Sequence, residues 1–147
     1  MKTLLRMFDK ISKPEAAHAH CDIPCGIYET DSAKTAAHTV WVMTDKLLKL
    51  DKPREGDLKS KLDFLNNTTR FIKEKEEHAQ KCKKELWVLW SDYFKPEHLK
   101  AHPDLHEKFW MATKQCSSAK REVNLQTAQK LKDMVDEIEQ IYKSTKK

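Results

Sequence analysis

This sequence predicts an all-α protein, an antiparallel four-helix bundle with an N-terminal metal-binding hook, and three observations lead there. Only two glycines and five prolines punctuate 147 residues, of which 35% are charged, so the chain is poor in turn formers and rich in helix formers. Four stretches carry apolar residues at every third or fourth position, and their short connections suit antiparallel neighbours. One stretch breaks the pattern: "AHAHCDIPCGIY", residues 17–28, gathers two histidines, two cysteines, a proline and a glycine. The length fits one domain with one core.

The first segment, 1–19, opens basic and ends in Ala17-His18-Ala19, the small-x-small form of a cleavage site. Arg6, Asp9, Lys10 and Lys13 interrupt it, whereas a secretory signal needs about 7 to 15 unbroken apolar residues. It reads as a leader removed on maturation without an export function, which places the protein in the cytoplasm. An N-terminal tail that is never cut is the plainer alternative. No apolar run approaches the roughly 20 residues of a membrane span. The net charge of +5 comes from basic residues interleaved with acids, the pattern of solvated helix faces. Neither a membrane nor a nucleic acid is an expected partner. A positive balance does favour the approach of a small anion.

Residues 20–28 form the hook, and residues 29–147 the bundle. Ala33, Ala36, Val40, Met43, Leu47 and Leu50 make the first stripe, with Thr30, Asp31 or Ser32 as N-cap. Pro53 and Gly56 end that helix. Asp57 caps a longer one, striped by Leu58, Leu62, Leu65, Ile72, Ala79, Cys82, Leu86 and Leu89, which stops near Tyr93-Phe94-Lys95-Pro96 because a residue before proline leaves the α region. Leu105, Phe109, Ala112, Cys116 and Ala119 stripe the third helix. A polar "SSAKRE" stretch precedes the fourth, carried by Leu125, Ala128, Leu131, Val135, Ile138 and Tyr142.

Most conspicuous side chains have plain readings within this frame. Trp41, Trp87, Trp90 and Trp110 belong to the core or a subunit interface. Cys82 and Cys116 fall on apolar stripes as inert buried thiols. His98, His102 and His106 repeat every four residues, but no carboxylate-histidine pair of di-iron type accompanies them, so they read as surface or capping residues.

The hook resists a plain reading. Cys21 and Cys25 form a C-x3-C, a spacing compatible with a thiol pair, a disulfide or half of a zinc site. No second cluster completes a zinc site, and a reducing cytosol disfavours the disulfide. If cleavage falls immediately before His20, a free α-amine, the backbone nitrogen of Cys21 and two sulfurs can surround one ion, with Pro24 and Gly26 turning the chain. Two nitrogens and two thiolates in a plane suit nickel or copper.

"HCDIPCGIY" at 20–28 and "LWSDYFKPEH" at 89–98 resemble the two characteristic blocks of the nickel superoxide dismutase family. The resemblance extends through "HPDLHEKF" and the final helix ending in "TKK". It implies superoxide as substrate, one nickel ion per subunit, a homohexamer of four-helix bundles and a leader-removing protease. It makes His20 a ligand through its amine and axial imidazole, Cys21 through nitrogen and sulfur, and Cys25 through sulfur. Tyr28 and Tyr93 match the tyrosines that stand over the metal, and Lys95 and Lys120 match lysines that draw the anion inward. In ping-pong fashion, Ni(III) and Ni(II) would alternate as two superoxides become dioxygen and peroxide.

Two positions depart from the family pattern. Ala36 stands where a glutamate commonly orients the axial imidazole, and His78 where an arginine accompanies it, so His38 or His78 is a candidate substitute. Two rival readings remain: a nickel or copper carrier, if cleavage after Ala17 leaves His18-Ala19-His20 at the terminus, and a helical oligomer with a redox-active Cys21-Cys25 pair.

Overall fold

The computed structural model describes residues 26–146. The leader and the hook residues His20, Cys21 and Cys25 lie outside the described residues. Within them the helices are α1 (Asp31–Leu48), α2 (Leu58–Val88), α3 (Pro96–Ala101), α4 (Leu105–Arg121) and α5 (Leu125–Thr145), with a π turn at Leu89–Tyr93 joining α2 to α3. α2 packs on α1 and α4, and α5 closes the ring against both.

Side-chain contacts fix the direction of each pair. Lys34 reaches Glu139 while the Lys132 ammonium sits 5.3 Å from the Trp41 ring centre, so α1 and α5 run oppositely. Lys108 reaches Glu137 and Gln115 donates to the Thr127 carbonyl, which makes α4 and α5 antiparallel. Trp90 bonds His106 at one end of α4, and Lys75 bonds its last carbonyls at the other. All neighbours are therefore antiparallel. Val40, Cys82, Leu86, Leu105, Phe109 and Leu131 are fully buried between them.

Local chemistry accounts for the ends. Asp57 accepts the Ser60 amide at 3.0 Å, and Asn124 accepts those of Gln126 and Thr127 at 2.9 and 3.1 Å, each covering donors that a first turn leaves open. Thr30 occupies the cap position of α1 without capping it; its hydroxyl donates to Glu139 instead. The predicted end of α2 near Tyr93 conceals a change of winding, since Phe94 N–H donates to Leu89 O, an i+5 bond. A fifth, short helix follows. Pro96 starts it, and His98 Nδ1 accepts the Lys95 amide at 3.2 Å.

Two expectations are corrected. The "SSAKRE" stretch is helical as far as Arg121, because the buried ammonium of Lys75 holds the terminal carbonyls of Ala119, Lys120 and Glu122 at 2.9, 2.6 and 2.9 Å. The stripe of α2 is not continuous: Leu58, Leu62 and Leu65 are 70%, 57% and 58% exposed, while Phe64, Phe71 and Ile72 are half-buried. α4 ends and α5 begins level with Lys75, so nothing from either helix covers the first turns of α2.

Burial pushes the Lys75 ammonium's pKa down, against the opposing pull of Glu76 and Glu122. The site favours a cation all the same, since a helix C-terminus carries partial negative charge. Lys75→Met leaves three carbonyls without their donor and should lower unfolding free energy by about 2–4 kcal/mol in urea titrations. Lys73→Met, on the exposed face, should change it by less than about 0.5 kcal/mol.

Candidate metal centre

The chain enters the described structure at Gly26 with φ +92°, a left-handed conformation that L residues rarely adopt. A Cβ there would meet no neighbour within 4 Å, so the restriction lies in the backbone. This turn delivers the segment after Cys25 to the mouth of a cavity of about 550 Å³, lined by Tyr28, Glu29, Asp92, Tyr93, Lys95 and Lys146 among others.

Aromatic packing builds the cavity floor. The rings of Tyr28 and Tyr93 lie 5.6 Å apart at 60°, and Tyr142 packs 4.7 Å from Tyr93. The π turn places Tyr93 here while Leu89, at the turn's start, stays in the core. Thr145 donates its hydroxyl proton to the Tyr142 carbonyl at 2.8 Å. The 3.0 Å contact between Tyr93 OH and Thr145 Oγ1 is therefore donated by the tyrosine. His98 stacks on Tyr93 at 5.7 Å and Phe94 abuts it edge-on at 5.0 Å.

The last turn of α5 holds the entering segment. Tyr142 OH donates to the Tyr28 carbonyl. Lys146 pairs with Glu29 at 2.6 Å, and that contact, with a smaller share from Tyr142, raises the ammonium's pKa. One turn back, Glu139 binds Lys34 at 2.8 Å and Lys143 at 3.0 Å. These ammonium groups, Lys34 first, hold the Glu139 carboxyl below its ordinary value.

Tyr28, Tyr93 and Lys95 thus meet at one cavity, whereas Lys120 does not join them. It lines a separate groove with Trp87, Trp110 and Lys114. His38 stacks on Trp41, and His78 Nδ1 contacts the Glu74 carbonyl at 3.0 Å; neither lines the tyrosine cavity. Ala36 is buried in the core. Tyr142, Glu29, Thr145 and Lys146 are the site residues that sequence reasoning missed. Tyr142 had a legible signal, because a hydroxyl on an apolar stripe must find a partner.

The plain readings divide. Cys82 and Cys116 are buried side by side, and their mutual contact and burial raise the Cys82 thiol's pKa. His98 caps α3, His102 contacts Ser144, and His106 accepts from Trp90 at 2.7 Å. Trp90 stacks on Phe109, but Trp87 and Trp110 are exposed. Among the described residues no group of three or more potential ligands converges, and no helix is long and apolar enough to cross a membrane.

The family model of nickel-containing superoxide dismutases matches residues 15–146. The chain belongs to that family. The Superoxide dismutase [Ni] of Streptomyces seoulensis is 35% identical over 142 residues, covering 96% of this chain and 99% of the relative. That of Streptomyces coelicolor (strain ATCC BAA-471 / A3(2) / M145) is 34% identical over the same length and shares. A native nickel superoxide dismutase structure superposes with a TM-score of 0.74 at 35% identity, covering 87% of this chain and all of the other. The structure with nickel ligation corresponding to the oxidised state gives 0.73, also at 35% identity, over 86% and 97%. Activity and cofactor follow: this dismutase converts superoxide to dioxygen and peroxide with nickel. The carrier reading is not favoured, since these matches are all dismutases.

Glu139 supplies a pH test at this site. Because its carboxyl pKa is lowered in the fold, its stabilisation is complete above the ordinary value of 4.5 and is lost as pH falls through the native value. The unfolding temperature of the enzyme should fall as pH drops below that point. Glu139→Gln should be less stable at neutral pH, with a flatter acid limb.

Proposed function

We propose that removal of residues 1–19 frees the α-amine of His20, and that this amine, its imidazole, the backbone nitrogen and sulfur of Cys21 and the sulfur of Cys25 hold one nickel ion per subunit. The observation that carries the reading is the left-handed Gly26, which hands the segment after Cys25 to the cavity of Tyr28 and Tyr93. The donor set fits the metal. Anionic sulfur and amide donors suit nickel and give it a one-electron couple that can take an electron from one superoxide and return it to another.

The rest belongs to the chain's own groups. Tyr28 and Tyr93 narrow the cavity so that a diatomic anion and water pass and larger oxidisable molecules do not. Tyr93 keeps its proton on Thr145, which fixes the ring rather than freeing it as a nucleophile. Of the cavity's two lysines, Lys146 is tied to Glu29, while Lys95 has no ion-pair partner among the described residues. Lys95 is therefore the cation that guides the substrate. Lys120 lies level with Lys75, roughly 25 Å along the bundle from Tyr93 at 1.5 Å per residue. Within one chain, screening leaves it a small share of that field.

The leader lacks an unbroken apolar run, which supports a cytoplasmic dismutase matured by a separate protease. Six copies form the assembly, as in the family the hook resembles, and the exposed Trp87 and Trp110 offer surface for contacts between them.

The cleaved protein beginning at His20 should bind one nickel per chain and give a paramagnetic resonance signal split by one nitrogen. Stoichiometric nickel with a silent spectrum would overturn ligation by the His20 imidazole. The uncut chain, whose His20 amine is acylated by Ala19, should be inactive. Lys95→Glu should lower kcat/KM about three- to tenfold at low ionic strength and reduce its salt dependence, with Tm unchanged.

A further inference from the structure

Most hydrogen-bond donors of the tyrosine cavity are spent on the protein itself. Tyr93 OH donates to Thr145, Thr145 to the Tyr142 carbonyl, Tyr142 OH to the Tyr28 carbonyl, and Lys146 to Glu29. His98 also lines this cavity, and its imidazole is clamped. Tyr93 stacks on the ring at 5.7 Å and 24°, while Phe94 meets it at 5.7 Å and 88°. Lys95 and His98 close on each other twice: the Lys95 amide donates to His98 Nδ1 at 3.2 Å, and the His98 amide donates to the Lys95 carbonyl at 2.9 Å. The His98 carbonyl accepts the His102 amide. Nε2 is thus the one polar atom of His98 with no hydrogen-bond partner among the described residues.

The tautomer follows from these bonds. A ring nitrogen that accepts an amide proton carries none of its own, so the imidazole held this way is neutral with its proton on Nε2. We propose that His98 is a substrate-binding residue of the dismutase: Nε2–H donates a hydrogen bond to superoxide in the tyrosine cavity once the Lys95 ammonium has drawn the anion in. This rests on the cavity reading above and adds a different kind of contact to it. A charge acts at range and is screened by salt, whereas a hydrogen bond acts on contact and has a preferred angle. A neutral donor suits an anion well, since hydrogen bonds to ions are roughly twice as strong as those between neutral groups. The turn that carries Lys95 also fixes the donor, so capture and attraction share one rigid element. His102 and His106 do not share the task, because their rings contact Ser144 and Trp90 and neither lines the cavity.

Two substitutions separate binding from folding. His98→Asn keeps an acceptor at the δ position for the Lys95 amide but ends short of Nε2. His98→Gln keeps an N–H donor near the place of Nε2 and loses the δ acceptor. Both lose the ring, so its stacking cancels between them. The probe is azide, a slender anion of superoxide's charge, followed by nitrogen-15 NMR of the reduced, nickel-loaded enzyme. In the wild type the His98 proton should sit on Nε2, and azide should shift that resonance. The azide dissociation constant should rise about tenfold in His98→Asn and less than about threefold in His98→Gln, with kcat/KM falling by the same factors and Tm falling further in His98→Gln. Because the lost donor is uncharged, the salt dependence of kcat/KM should keep its wild-type slope. A proton on Nδ1, no azide shift at His98 in the wild type, or an unchanged azide constant in His98→Asn would overturn the assignment. Nickel content of the same samples tests the hook separately: a wild-type enzyme without nickel overturns the hook reading, while its azide titration still decides the role of His98.

Discussion

The seam between residues 28–34 and the last two turns of α5 governs the molecule. Tyr142 holds the Tyr28 carbonyl, Lys146 holds Glu29, and Glu139 holds Thr30 and Lys34. The cap residue of α1, Thr30, has its side chain committed to this seam through Glu139 and not to the helix's own first-turn amides. These contacts also close the helix ring, because α1 and α5 are its first and last members. The same contacts fix residues 28–30 against the last turns of α5. Losing them would unfasten fold and site together.

The four long helices were legible because their apolar spacing is strong, and Asp57 was legible as a cap because its chemistry is local. What escaped the sequence depended on distance along the chain. No pattern near residue 117 announces that Lys75, some forty residues earlier, will donate to the carbonyls that end α4. Without that donor, "SSAKRE" reads as a break. Leu58, Leu62 and Leu65 have core spacing but no neighbour to cover them, since periodicity reports which face is apolar and not what lies against it.

The site divides the same way. The hook motif identified the chemistry, and Tyr28 and Tyr93 came from two separated blocks that the fold brings within 5.6 Å. The π turn that swings Tyr93 into place leaves no compositional mark. Such turns are found mostly as single insertions within helices and often at functional sites; here one separates a core leucine from a cavity tyrosine four residues further on. Glu29, Thr145 and Lys146 were invisible as site residues because each is an ordinary polar group until the chain ends meet.

That meeting has a consequence for how the protein is made. Glu29 and Lys146 are 117 residues apart and bond directly; Tyr28 and Tyr142 are 114 apart. Residues 28–30 are synthesised first, and the helical turn that holds them is synthesised last. While the chain is still on the ribosome, with its final residues enclosed in the exit tunnel, the hook has nothing to be held against. The cavity of Tyr28 and Tyr93 is thus a product of the released polypeptide, and contacts of this sequence separation are among the slower ones to form.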